Sequence, residues 1–173
     1  AQITSKQDIS DHIGKSKNYC FVDVGGGSTE VIIFKNSQIF KLKSFKIGCV
    51  RLLDDSVNNK TWNKFESWLT ENAKELKKLK IVGIGGNINK IFKISGTKYS
   101  KPLGKKSFLK TLKIIESMSM SDRLTVLKLN PDRADVIVPA GKIYYFILKK
   151  LKVKNIYVPK IGLADGMVNE ILK

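Results

Sequence analysis

The stretch Asp23-Val24-Gly25-Gly26-Gly27-Ser28-Thr29-Glu30 assembles the residue types that bind phosphate. A phosphate needs several backbone N–H groups converging on one concavity, with no Cβ barring close approach. Three successive glycines supply this, and Ser28 and Thr29 add hydroxyl donors. Asp23, at a strand's end, can hold a divalent cation directly or through water. Glu30 is spaced to orient water or touch the ligand. A hairpin needs only a two-residue loop, so a Gly-Gly-Gly-Ser-Thr run between carboxylates exceeds what a turn demands. A second glycine turn, Val82-Gly83-Ile84-Gly85-Gly86-Asn87, runs from a strand toward a helix. Ligands of open α/β sheets sit beyond the carboxyl ends of the strands. Gly85, Gly86 and Asn87 can therefore face the same cleft as Gly25–Thr29, although alone they equally suit a structural strand-to-helix turn. Arg51 and Arg133 each begin a helix, and each can grip phosphate oxygens with two prongs. A surface ion pair is the competing reading for both.

Other chemistries fail on spacing or count. Neither glycine turn fits Gly-x-Gly-x-x-Gly opening a helix, because the first leads into a strand. Gly14-Lys15-Ser16 carries the end of a P-loop, but Ile9 stands where the earlier glycine belongs. His12 is the single histidine, so neither a histidine metal cluster nor a Ser/His/Asp triad can form. Cys20 and Cys49 are too few for a disulfide framework or a thiolate metal site, which fits a reducing, cytoplasmic setting.

The elements that must position these residues follow from periodicity. Tyr19–Val24 and Thr29–Phe34 read as strands around the first glycine turn, and residues 38–47 as a third. Cys49–Leu53 reads as a short helix, with 54–60 a polar loop. From Trp62 the apolar stripe Phe65, Trp68, Leu69, Ala73, Leu76 is helical. Residues 80–84 form a fourth strand and 88–94 a helix. Residues 95–105 read as loop and 107–118 as a helix. Another helical block opens near Ser121. Asn130-Pro131-Asp132 caps a helix over 134–151, in which Pro139 demands a kink or an earlier break. Residues 154–159 give a fifth strand, and 167–172 a last helix. The order is mixed α/β, with late strands joined by crossovers and parallel.

The chain has 173 residues, 42% hydrophobic and 27% charged, enough for one globular domain with its own core. No apolar run reaches the ~18 residues of a membrane span. Residues 1–17 are polar and start without Met, which reads as the lead-in of a longer protein, leaving 18–173 as the domain. The formal net charge is +17, and of 32 basic residues only Arg51, Arg123 and Arg133 are arginine. Base readout in nucleic acids leans on arginine forks. A lysine field suits general solubility or a polyanionic ligand.

At these residues the sequence resembles the exopolyphosphatase/guanosine pentaphosphate phosphatase (Ppx/GppA) family. The resemblance is carried by Phe21–Glu30, by Lys46-Ile47-Gly48-Cys49-Val50-Arg51-Leu52 and by Gly83-Ile84-Gly85-Gly86-Asn87. It continues in Asp132-Arg133-Ala134-Asp135-Val136-Ile137-Val138-Pro139-Ala140-Gly141 and Gly162-Leu163-Ala164-Asp165-Gly166. The resemblance implies a ribonuclease-H-like domain of the actin-like ATPase superfamily, a mixed five-stranded sheet flanked by helices. It would be the second domain of a two-domain catalytic core, with the first domain absent from this chain. It also implies release of terminal phosphate from polyphosphate or guanosine pentaphosphate, with a divalent cation such as Mg2+. On that mapping Asp23 and Glu30 hold metal, Glu30 supports catalysis, and Gly25–Thr29 with Gly85, Gly86 and Asn87 bind phosphate. Arg51 and Arg133 contact substrate, and the principal catalytic glutamate belongs to the first domain. The fragment alone would bind phosphate without turnover. Asn87 stands where the family often has Thr, and Ala164 where it usually has Arg or Lys, which bears on substrate preference.

Two other classes remain open. One is the nucleotide-binding domain of an actin-like kinase or ATPase, which shares the paired glycine loops. The other is a basic, non-catalytic polyanion-binding module. Specific nucleic-acid and membrane partners are not expected, and a homodimer is an open alternative.

Overall fold

The computed structural model describes residues 18–36 and 38–159. The expectations at residues 1–17 (His12 and Gly14-Lys15-Ser16 among them), at the Gly162–Gly166 motif with Ala164, and for a helix over 167–172 lie outside the described residues.

Six strands form one sheet in the order β3-β2-β1-β4-β6-β5. Strand β1 (Tyr19–Val24) pairs antiparallel with β2 (Thr29–Lys35), and β2 with β3 (Gln38–Phe45). On its other side β1 runs parallel to β4 (Lys80–Ile84), which runs parallel to β6 (Asn155–Tyr157). The expected mixed sheet with parallel late strands is therefore present. The expectation of five strands was one short. Strand β5 (Leu103–Gly104) lies at the edge, antiparallel to β6, inside the segment read as loop. Two residues carry no alternation, so only the partner strand defines it.

Alternation decides what each sheet face does. Cys20 and Val22 of β1, with Val31 and Ile33 of β2 and Ile81 of β4, join the main core. That core continues through Phe65 and Leu69 of α2 (Asn59–Ala73) and Ile88 and Phe92 of α3 (Gly86–Ile94). It closes on Phe108 and Leu112 of α4 (Lys105–Ser117). The opposite face holds a smaller cluster of strand residues, Phe21, Ile32, Phe34, Val82 and Ile84. Asp23 and Glu30 share that second face, directly opposite each other across β1 and β2.

Short helices set the connections. Helix α1 (Cys49–Leu53) follows β3, and α5 (Met120–Thr125) and α6 (Pro131–Ala134) precede α7 (Ile137–Lys150). The single helix expected over 134–151 is broken at Val136, which leaves Pro139 in the first turn of α7. There its missing N–H has no intrahelical acceptor to lose. Asn58 caps α2 by accepting from the Thr61 amide at 2.9 Å, so the helix starts earlier than Trp62. Strand β3 is an exposed edge with Phe40 and Leu42 in solvent, and Lys35 and Lys41 hold their ammonium groups over the Phe40 ring. Charged residues of this kind blunt edge pairing. Among the described residues, no helix is long and apolar enough to cross a membrane.

Candidate functional site

Because β1 and β4 are parallel neighbours, the Gly25–Ser28 turn and the Gly85–Asn87 turn leave the same end of the sheet. The two glycine motifs thus meet where an α/β sheet accepts ligands. The first turn closes on itself through Gly25 N–H donating to the Ser28 carbonyl at 2.9 Å. It is then strapped to α1. The amides of Cys49 and Val50 donate to the carbonyls of Gly25 and Gly26, at 2.9 and 3.0 Å, and Arg51 Nε donates to the Gly27 carbonyl at 2.7 Å. Three successive carbonyls are engaged on the α1 side. Among the described residues, the amides of Gly26, Gly27 and Ser28 donate to no backbone acceptor. A loop with amides left over in this way can offer donors to an anion.

This strap requires Gly48. Any Cβ there would collide with the Gly26 carbonyl oxygen. Thr29, expected among the phosphate ligands, is fully buried and donates its hydroxyl to the Ile47 carbonyl at 2.6 Å. Its side chain therefore anchors the base of the turn and turns away from the cleft. Ser28 donates to Glu30 Oε1 at 2.6 Å, and Ser44 of β3 donates to the same oxygen at 2.8 Å. Glu30 is thus oriented by two hydroxyls. Ser44 was not singled out from the sequence, because the β2–β3 register shifts at an irregularity between Ile33 and Phe34, and that shift is what sets it opposite Glu30.

Asp23 lies half-buried beside the second turn. A Cβ on Gly85 would come within 2.8 Å of Asp23 Oδ1, and Gly85 holds φ +103°, a conformation closed to most side chains. Burial first, and the Glu30 carboxylate second, push the Asp23 carboxyl above its ordinary value. Two facing carboxylates with this mutual repulsion suit a divalent cation, which takes one or two carboxylates and fills its shell with water and substrate oxygens. Among the described residues no cluster of three or more His, Cys, Asp or Glu exists, so within them such a shell could draw on this pair alone.

Arg133, on α6, lays its guanidinium over Gly86, where a Cβ would meet Nη1 at 2.5 Å. It shares that region with Lys90 and Lys93 of α3, and their repulsion adds to burial in holding the Lys90 ammonium below its usual range. Arg51, by contrast, clamps the first turn through Nε. Asn87 points inward, its Nδ2 4.0 Å from Cys49 Sγ and its Oδ1 buried without a hydrogen-bond partner among the described residues. Beneath the site the Tyr144 hydroxyl reaches the Ile84 carbonyl at 2.6 Å and the Val22 carbonyl at 3.3 Å. This one side chain ties together the ends of β1 and β4. No local sequence signal distinguishes it from the other apolar-stripe residues of α7. Both cysteines are free and buried.

Comparison with known proteins places these features. The model of the Ppx/GppA phosphatase family matches residues 9–173. The bifunctional 3-dehydroquinate synthase/phosphatase of Fusobacterium nucleatum is 35% identical over 82 residues, covering 40% of this chain and 12% of that protein. Among solved structures, the type II variant of the Aquifex aeolicus Ppx/GppA phosphatase aligns with a TM-score of 0.69 at 22% identity, over 90% of this chain and 58% of that one. An exopolyphosphatase from Cytophaga hutchinsonii aligns with a TM-score of 0.67 at 21% identity, over 91% of this chain and 58% of that one. At these identities the likeness speaks for the fold, which is the expected actin-like α/β architecture with one more strand. The chain spans under three-fifths of the length of these two structures.

Proposed function

The chain belongs to the Ppx/GppA phosphatase family, and from that premise we propose that it supplies one wall of a phosphohydrolase site that releases terminal phosphate from inorganic polyphosphate or guanosine pentaphosphate. The observation that carries the reading is the strapped turn. Carbonyls of Gly25, Gly26 and Gly27 are engaged by α1 and Arg51, while the neighbouring amides are left for a ligand. Gly26, Gly27 and Ser28 would donate their N–H groups to oxygens of one phosphate. Gly86 and the Arg133 guanidinium would meet the next along the chain.

Preset donors of this kind favour the charge that builds on phosphoryl oxygens during transfer, without reorganising at the moment of reaction. Asp23 and Glu30 would hold a divalent cation, Mg2+ being the natural choice for oxygen ligands. Such an ion neutralises phosphate charge. Ser28 and Ser44 fix the Glu30 carboxylate, so its role is to hold and orient. Thr29 acts through the turn it anchors. We assign the base that activates water to a further domain of the whole protein, since the Ser28 and Ser44 hydroxyls already engage Glu30 and Asp23 is given to the cation.

Calorimetry with tripolyphosphate and Mg2+ tests this. Binding is expected, weakened in Arg133→Gln, with no phosphate released by this chain alone. Phosphate release by the isolated chain that vanishes in Glu30→Gln would overturn the divided site. Tighter binding of ATP than of tripolyphosphate would favour the kinase-like reading instead.

A further inference from the structure

Arg123, on α5, directs its guanidinium at backbone carbonyls of two other helices. Its Nε donates to the Ile115 carbonyl at 3.0 Å, Nη2 to the Glu116 carbonyl at 3.3 Å and Nη1 to the Ala134 carbonyl at 3.1 Å. Ile115 and Glu116 lie in the last turn of α4, where carbonyls lack intrahelical partners and form the negative end of the helix dipole. Ala134 is the last residue of α6. The Arg123 carbonyl in turn accepts from the Leu129 amide at 3.1 Å, in the segment leading into α6. One residue thus holds α6 from both sides and ties it to the end of α4.

Helix α6 needs such a bracket. It is a single turn, too short to hold itself, and Asn130 at its start makes no side-chain capping bond. Yet it carries Arg133, whose guanidinium lies against Gly86. No salt bridge among the described residues involves Arg133. Lys90 stands near enough to repel it, while bonding through Nζ to the Lys128 carbonyl at 3.5 Å on the loop before α6. Like charges move apart unless the backbone beneath them is fixed.

We propose that Arg123 is a positioning residue of the site: by bracketing α6 against the end of α4, it fixes the Arg133 guanidinium over Gly86. It sets the grip on an anion without touching the anion. The competing reading is an arginine that only stabilises the fold, which lowers the melting temperature with no effect that passes through Arg133. A lysine at this position keeps the charge but presents no rigid fork to carbonyls of two helices. Arg123→Lys therefore separates the bracket from the charge. The inference rests on the proposed function solely for the anion that Arg133 meets.

A double-mutant cycle tests this, with tripolyphosphate and Mg2+ titrated into the whole 173-residue chain well below the melting temperature of every variant. Arg123→Lys should bind about tenfold more weakly, a coupling of ordinary size for residues in one network. In the Arg133→Gln background the same change should cost no further affinity, while it lowers the melting temperature alike in both. Equal affinity losses in the two backgrounds, or none in either, would overturn the proposal. Phe108→Leu, in the buried stripe of α4, should melt lower and bind like the parent. A tenfold loss there would show that lost stability alone weakens binding, and would overturn it too. A second readout needs no ligand. Burial, Lys93 and Arg133 together hold the Lys90 ammonium below its usual range. In NMR titrations of the Lys90 side chain, Arg133→Gln should raise the midpoint, and Arg123→Lys should raise it as well. A Lys90 midpoint unmoved by Arg123→Lys would count against the bracket. Should the parent bind no tripolyphosphate, the glycine-site reading falls and the Lys90 titration decides on Arg123 by itself. Should Arg123→Lys fail to fold, Ser119→Ala loosens the cap that starts α5. It should then give a smaller affinity loss that vanishes in Arg133→Gln, and a loss that persists there would overturn the proposal.

Discussion

At the scale of single residues, the site spends more of its side chains on holding backbone than on facing a ligand. Thr29, Arg51 and Tyr144 all bond to carbonyls. Arg133 is the exception, and Arg133→Gln should weaken tripolyphosphate binding by about 1.5–3 kcal/mol, the range for hydrogen bonds to charged groups. Its melting temperature should move little. Asp23 makes a sharper prediction. Its carboxyl is raised in the fold, so the ionised form is disfavoured there relative to the unfolded chain. Asp23→Asn should therefore melt higher than the parent at neutral pH without metal. The gap should close as pH falls below the unfolded carboxyl value, where both proteins are neutral at this position. A lower melting temperature for Asp23→Asn at neutral pH would contradict this. Cys20 behaves in a related way at the alkaline end. Burial pushes its thiol up to about 12, against about 8.5 in an unfolded chain. Between those values the unfolded state binds fewer protons, so stability drains away as pH rises. Alkaline melts should show Cys20→Ala gaining on the parent across that window.

At the scale of elements, the strap between α1 and the first turn is the point of greatest sensitivity. Gly48→Ala must push the Gly26 carbonyl aside, so it should cost at least 1–3 kcal/mol in denaturant melts and abolish tripolyphosphate binding. Tyr144→Phe keeps the ring and removes both hydroxyl contacts, leaving the Ile84 carbonyl without this buried donor. A loss of about 1–3 kcal/mol is expected. Much of this scale was legible from residue order. The glycine runs marked both turns, and short apolar runs marked β1, β2 and β4, because those strands are buried on both faces. The break before α7 was readable from Pro139, since proline is tolerated only in a helix's first turn. Strand β5 was not readable, because two residues have no period. Nor was the turning-in of the Thr29 hydroxyl. It depends on where the Ile47 carbonyl comes to lie, 18 residues away, and a motif read as a string of donors cannot say which of them the fold consumes. Tyr144 escaped for the same reason, bonding to a carbonyl 122 residues back.

At the scale of the whole molecule, the +17 charge resolves into places with different work. Lys35 and Lys41 guard the β3 edge, and Lys90 stands near both Lys93 and Arg133. The sheet order carries a consequence for how the chain reaches this state. Strands β1, β2 and β3 pair in sequence and β4 returns to β1, but β6 lies between β4 and β5. The short edge strand thus has nothing to pair with until a segment some fifty residues later arrives, as the register Leu103↔Ile156 makes plain. The local unit is the β1–β2–β3 meander. Strand β4 joins β1 from some sixty residues away (Tyr19↔Lys80), and β6 joins β4 from about seventy-five (Ile81↔Ile156). Assembly is therefore expected to begin in the meander and to add the later strands afterwards, closing long loops being the slower event. Pulse-labelled hydrogen exchange during refolding should show amides of β1 and β2 protected early. Those of β5 and β6 should gain protection together and last.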